Sequence, residues 1–266
     1  MITEVLTHGF MQKAYLAGIM SASALSIVGV YIVLKRMSNI GEGISNVAFG
    51  GLALGLLLGA APLPTALIAA LVGVFLINYL SHRLGVYGET AIQILCSGGF
   101  ALGVVIVSSS SGFNVNLLSF LFGSLLSVTD SDLILIGGLA LATFTVISIY
   151  HRKLAYIAFD EESAKVAGLP VERLNLTLMA LTALTVVAGM RIVGVLMVSS
   201  LLVVPAAAAI RLGGNFKKTL LLSASFSVLS VIIGLTSAYY LNIAAGGAVV
   251  LTQVLMFFAS AVVFRK

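Results

Sequence analysis

Glu42 and Asn46 stand four residues apart in KRMSNIGEGISNVAFGGLALG, residues 35–55, with Ser38 and Ser45 close by. On a helix that spacing puts the carboxylate and the amide on one face. Carboxylate, amide and hydroxyl oxygens are ligands for a hard divalent cation. The competing reading is an ion pair between Glu42 and Lys35 or Arg36 at a helix end. The residues alone leave both open. No His-x-x-His, Cys-x-x-Cys or clustered acidic motif offers a stronger metal signature. His8, His82 and His151 fall at the ends of apolar runs, where a solvated imidazole is expected. Cys96, the single cysteine, lies inside an apolar run and reads as a small core hydrophobe. Arg191, between two closely spaced apolar runs, is expected to reach out to the headgroups.

A different chemistry is written into LAYIAFDEESAKVAGLPVERL, residues 154–174. Asp160 is placed to cap a helix by accepting a backbone N–H, and Glu161 and Glu162 put negative charge on the positive end of its dipole. Gly168 supplies a left-handed terminator and Pro170 prevents continuation. The spacing predicts a short helix over 160–168, of about eight residues, which is too short to be stable alone in water. It must lie on the protein's own surface or dock against a cytoplasmic partner. The Gly/Lys-rich GGNFKKT at 213–219 lacks the spacing of a phosphate-binding loop, so any ATP hydrolysis belongs to another chain.

The elements that position these residues are set by hydrophobicity. Hydrophobic residues make up 60% of the chain and charged ones 9%, against roughly a quarter charged in soluble domains. An ordinary soluble fold is excluded. The net charge of +5 is therefore read as cytoplasmic-loop Lys and Arg rather than a nucleic-acid surface. Residues 14–34, 43–81, 90–129, 133–150, 174–190, 192–210 and 219–264 carry no Asp, Glu, Lys or Arg. A spanning helix needs about 20 apolar residues, so the longest runs must fold back. Pro62 and Pro64 divide 43–81, Ser108 to Gly112 divides 90–129, and Asn242 to Gly247 divides 219–264. The piece 115–128 is short and reads as a re-entrant or interfacial helix. Residues 14–34 read as a permanent helix rather than a cleaved signal.

The expected fold is all-α: an integral membrane bundle of eight or nine transmembrane helices plus the short cytoplasmic helix, in one domain over 1–266. Nine crossings place the amino terminus outside and the carboxyl terminus inside. Lys35, Arg36, Arg83, Arg152, Lys153, Lys165, Arg173, Arg211, Lys217, Lys218, Arg265 and Lys266 then fall inside, and only Lys13 and Arg191 outside. That is the sense of the positive-inside rule. Glycines at 51, 55 and 59, and at 99 and 103, form small faces that let helices approach closely.

Four blocks carry a family resemblance: YIVLKRMSNIGEGISNVAFGGLALGLLLG at 31–59, NLLSFLFGSLLSVTDSDL at 116–133, FDEESAKVAGLP at 159–170, and ALTVVAGMRIVGVLMVSSLLVVPAAAAIRL at 183–212. Along nearly its full length the chain resembles the membrane permease of ABC importers for zinc, manganese or iron. The resemblance implies a multi-pass permease of a prokaryotic inner membrane, paired as a homodimer in lipid. It would take metal from an extracellular or periplasmic binding protein and be driven by two cytoplasmic ATPase subunits. It would hold no permanent cofactor; the divalent metal is cargo. The helix 160–168, with Asp160, Glu161, Glu162, Gly168 and Pro170, then corresponds to the coupling helix that seats in the ATPase. The family's Gly-Asp-x-x-x-His, implicated in passing the metal, is here Glu42 and Asn46. Losing the imidazole shifts the site from zinc toward harder cations such as manganese. Rival expectations are an ion-coupled carrier needing no ATPase and a non-transporting membrane scaffold.

Overall fold

The structure is a computed structural model that describes residues 9–109, 120–123 and 128–263. Its helices are α1 (Gly9–Leu34), α2 (Ile40–Leu57), α3 (Pro62–Arg83), α4 (Gly88–Ser108), α5 (Asp130–Phe159), α6 (Glu161–Val166), α7 (Val171–Val193), α8 (Val198–Leu212), α9 (Phe216–Leu241) and α10 (Ala245–Val263). Eight of them are long and apolar enough to cross a membrane, and α8, with 15 residues, is a shorter apolar helix.

The expected breaks have identifiable chemistry. Pro62 sits in the first turn of α3, where its missing N–H costs nothing. Asn242 ends α9 in the left-handed conformation, with its N–H donated to the Ala238 carbonyl. The expected crossing at 192–210 is shorter than the sequence suggests. Ile192 and Val193 complete α7, and Gly194, at φ +92°, ends it. At about 1.5 Å per residue, α8 reaches about 22 Å, short of the roughly 30 Å hydrocarbon core. The intervening turn is covered by protein: Val195 N–H donates to the Phe120 carbonyl at 2.9 Å, and Gly194 and Val195 are buried. Irregular backbone at membrane depth is tolerated only under such cover. The helix expected over 115–128 lies largely outside the described residues, as does His8.

Helices α1, α2 and α7 form the centre, with 67–72% of their spanning windows buried, whereas α4 and α5 have only 22%. Helix α1 packs on α5, α7, α8 and α9. Glycine permits the closest approaches. A Cβ on Gly99 of α4 would lie 2.6 Å from the Val47 Cα of α2, so these helices meet backbone to backbone. Gly51 and Gly55 face α3, and Gly103 accommodates the Phe49 ring. Gly59 departs from the expected stripe. It lies beyond α2 at φ +67° with nothing within 4 Å of its would-be Cβ, and it serves the turn rather than a helix contact.

Ion pairs mark both ends of the bundle. Lys13 meets Asp130 at 2.6 Å and Arg191 meets Asp132 at 3.0 Å at one end, while Lys35 meets Glu161 at 2.7 Å at the other. The 30 residues of α5 connect the two. At about 45 Å that helix matches a bilayer with its headgroups.

Candidate cation path and coupling element

Glu42 occupies the first turn of α2 and is exposed. It makes no ion pair with Lys35 or Arg36: Lys35 is committed to Glu161, and Arg36 is exposed in the left-handed region at φ 57°. The Glu42 carbonyl accepts from the Ser45 hydroxyl at 2.9 Å. Asn46 is one turn on but buried at 9% exposure, and its Nδ2 donates to Cys96 Sγ of α4 at 2.9 Å. One helix face therefore carries both residues, while packing gives them different surroundings: Glu42 open, Asn46 held in the α2–α4 seam. Among the described residues no three His, Cys, Asp or Glu side chains gather into a metal cluster.

Two neighbours of this site were missed by sequence reasoning. Cys96 is as buried as expected, but it is also the partner of the candidate ligand Asn46. Its signal was its position: 96, 99 and 103 share a helix face, and Gly99 and Gly103 already marked that face as a contact. The second is a polar stripe on α4, where Glu89, Gln93 and Ser97 recur every four residues and are all exposed. Helix α4 runs beside α2, with Ile92 against Gly43. The stripe thus flanks Glu42's helix at its starting end. The first turn of α8 also reaches this region, since Ser199 Cα lies 3.6 Å from a Cβ built on Gly41.

The short helix α6 has six residues, fewer than the expected eight. Asp160 caps it, its Oδ1 accepting the Ser163 N–H at 2.9 Å and its Oδ2 the Ser163 hydroxyl. These bonds hold the Asp160 carboxyl below the usual carboxylate range. At the other end Leu169 N–H donates to the Ala164 carbonyl and Gly168 N–H to the Lys165 carbonyl, with Gly168 at φ +76°. This is the paired closure that glycine favours. Pro170 follows as the cap residue of α7. Glu162 is exposed, and Glu161 is half-buried against Lys35 and Asn175. Partial burial acts to raise the Glu161 carboxyl, but the Lys35 bond and charge, with Asn175 and Lys165, outweigh it and hold the group below its ordinary value. Ala164 is the buried residue of α6, and Val166 stands 90% exposed.

The remaining candidates divide. His82 is exposed as expected. His151 is half-buried, hydrogen-bonded through Nδ1 to the Tyr31 hydroxyl at 2.9 Å and stacked near Phe216. Arg191 does not reach out to headgroups. It bonds Asp132 Oδ2 through Nε, lies 4.6 Å from the Phe120 ring centroid, and keeps only 14% side-chain exposure. Asp132 is consequently a second carboxylate withdrawn from water at the membrane's edge.

A lipid-depth helical bundle with a capped, water-exposed helix projecting among the basic residues is the architecture of a transporter's membrane permease. The chain belongs to the ABC 3 transport family, whose model matches residues 7–264, and it is the non-catalytic membrane subunit of that transporter class. It is 31% identical over 254 residues to the manganese transport system membrane protein MntC of Halalkalibacterium halodurans, covering 96% of this chain and 87% of that one. It is 32% identical over 251 residues to the manganese import system permease protein ScaB of Streptococcus gordonii, covering 94% and 90%. Its fold matches PsaBC from Streptococcus pneumoniae, solved in complex with a Fab, at a TM-score of 0.88 and 31% identity, over 98% of this chain and 95% of that one.

Proposed function

We propose that this chain is the permease of an ATP-driven importer of divalent transition metals, with manganese as the favoured cargo and Glu42 and Asn46 as a weak way-station. The relatives named for manganese transport support the cargo. So does the donor chemistry, since a carboxylate and an amide suit a harder cation than an imidazole would. A weak site is appropriate, because a transporter must release what it binds.

The observation that carries this reading is that Glu42 and, on the neighbouring helix α4, the stripe Glu89, Gln93 and Ser97 are all exposed. A charged side chain facing hydrocarbon costs about 2.5–3.5 kcal/mol even on insertion scales. A row of polar groups on a spanning helix is therefore better placed against water and a second copy of the chain. That favours a homodimer with the pathway between its halves. At the basic end, the capped α6 and its exposed Val166 suit docking to an ATPase, one per permease. This orientation puts the carboxyl terminus in the cytoplasm of a prokaryotic inner membrane, with a metal-binding protein delivering cargo to the other face and all spans in one permease domain. Family membership argues against an ion-coupled carrier or a scaffold.

The test is uptake into proteoliposomes holding permease, ATPase and binding protein, comparing manganese, zinc and iron. Manganese should enter fastest, and Glu42→Gln should reduce both its uptake and metal-stimulated ATPase activity at least tenfold. Unchanged uptake in Glu42→Gln would remove the carboxylate from the pathway.

A further inference from the structure

Six residues cannot hold a helix in place by themselves, yet α6 is fixed to the bundle. Besides the burial of Ala164 and the direct chain connections to α5 and α7, it is held by a closed ring of three side chains. Lys35, just past α1, donates through Nζ to Glu161 Oε2 at 2.7 Å and to Asn175 Oδ1. Asn175, in the second turn of α7, donates through Nδ2 to Glu161 Oε1 at 3.3 Å. Lys165 lies 3.5 Å from the same Oε1 on the outer side. The Lys35 side chain is only 6% exposed. A buried ammonium needs its partners, because removing one leaves an unpaired charge in a poorly solvated place. The ring is therefore stiff where surface ion pairs are loose.

The location of its corners matters as much as its strength. Glu161 is the first residue of α6, while Lys35 and Asn175 belong to α1 and α7, which lie at the centre of the bundle. Helix α5 also joins α6, through Asp160, but α5 is peripheral and mostly uncovered. A cavity of about 250 Å³ is lined by all three members of the ring and by Asn78, Ser81 and His82 of α3.

We propose that the Lys35–Glu161–Asn175 ring is the strut that transmits displacement of α6 to the central helices α1 and α7, and so couples nucleotide hydrolysis to metal movement. The proposal rests on the reading that α6 docks to the ATPase. Lys35 and Asn175 are positioning residues: they act through Glu161 and touch neither nucleotide nor metal. A tie that only helped folding would lower the yield of transporter. A strut, when cut, leaves an assembled transporter that hydrolyses ATP without moving cargo.

The experiment measures manganese taken up per ATP hydrolysed, a ratio independent of protein yield, for the purified complete transporter in proteoliposomes. Lys35→Met, Glu161→Gln and Asn175→Leu should each lower the ratio at least fivefold, with ATPase activity within twofold of the parent. In Lys35→Cys/Glu161→Cys, a short bifunctional maleimide should restore at least half of the lost ratio. The parent protein, with Cys96 buried, serves as the reagent control. A photo-reactive residue at Val166 tests docking separately. If it cross-links to the ATPase while the ratios are unchanged, or while uptake and ATPase fall together at constant ratio, the strut is wrong and docking stands. If no cross-link to the ATPase forms in the assembled transporter, docking is wrong and the strut falls with it.

Discussion

Arg191 and Asp132 allow the energetics of this bundle to be tested with a single charge. Their side chains keep 14% and 16% exposure, and Asp132 Oδ2 accepts from both Arg191 Nε at 3.0 Å and Thr129 N–H at 3.0 Å. Asp132→Asn preserves size and one acceptor oxygen while deleting the negative charge that faces the guanidinium. Breaking a fully buried pair costs about 3–5 kcal/mol, and an exposed one about 0–1. With most of both side chains covered, the expected cost is about 2–3 kcal/mol. Asp132→Ala should cost about 1 kcal/mol more, because it also removes the capping box between Thr129 and Asp132.

Arg191→Met should cost about 2 kcal/mol, and the double variant Asp132→Asn/Arg191→Met about 2 in total, since no charge is then left stranded. The coupling between the sites is thus about 2–3 kcal/mol. By the scaling for chains of this size, about 2–4 °C per kcal/mol, Asp132→Asn should melt about 4–12 °C lower in detergent. The reasoning is refuted if Asp132→Asn melts within about 1 °C of the parent, or if the two single costs simply add in the double variant.

Asn46→His should shift uptake from manganese toward zinc, read as the ratio of the two initial rates; an unchanged ratio would show that this position does not set preference. Gly99→Leu should abolish folded protein on size-exclusion chromatography, because its Cβ alone would lie 2.6 Å from the Val47 Cα; a monodisperse, active variant would contradict the α2–α4 crossing. The Glu161 carboxyl is held below its ordinary value, so its stabilising contribution is complete above about pH 4.3 and is lost only as pH falls through the lower folded value. Hydrogen-exchange protection of 162–167, corrected for intrinsic rate, should therefore be flat from pH 8 to 5, and a decline already by pH 6 would conflict with the Lys35 contact. Cys96, at 7% exposure, should react with a small maleimide at least a hundredfold more slowly in folded protein than in denatured protein; similar rates would place it on an open surface.

The features legible in the sequence are those set by local physics. Charge-free runs, Pro62 and Asn242 fixed the spans because backbone satisfaction in lipid leaves helices few ways to begin and end. Asp160, Gly168 and Pro170 fixed α6 because capping is decided within a few residues. The shortening of α8 was hidden because the apolar stretch continues through a break, and hydropathy does not register a turn covered by Phe120. The pairs that organise the two candidate sites are not local. Asn46 meets Cys96 across 50 positions, Arg191 meets Asp132 across 59, and Lys35 meets Glu161 across 126. Each of these polar residues has a bland reading in its own segment: a core thiol, an arginine at the headgroups, a loop lysine. What converts them is a partner on another helix, and helix adjacency in a membrane depends on small-residue contacts such as Gly50 against Gly99, which a single sequence marks but does not pair. The same point explains why Glu42 is the least determined of the site residues. It is exposed in the first turn of α2, and the residues on either side of it, Gly41 and Gly43, meet Ser199 of α8 and Ile92 of α4. A carboxylate that the protein keeps exposed at membrane depth needs an aqueous or protein surface opposite it, and the second copy proposed above is the element of matching symmetry that supplies one.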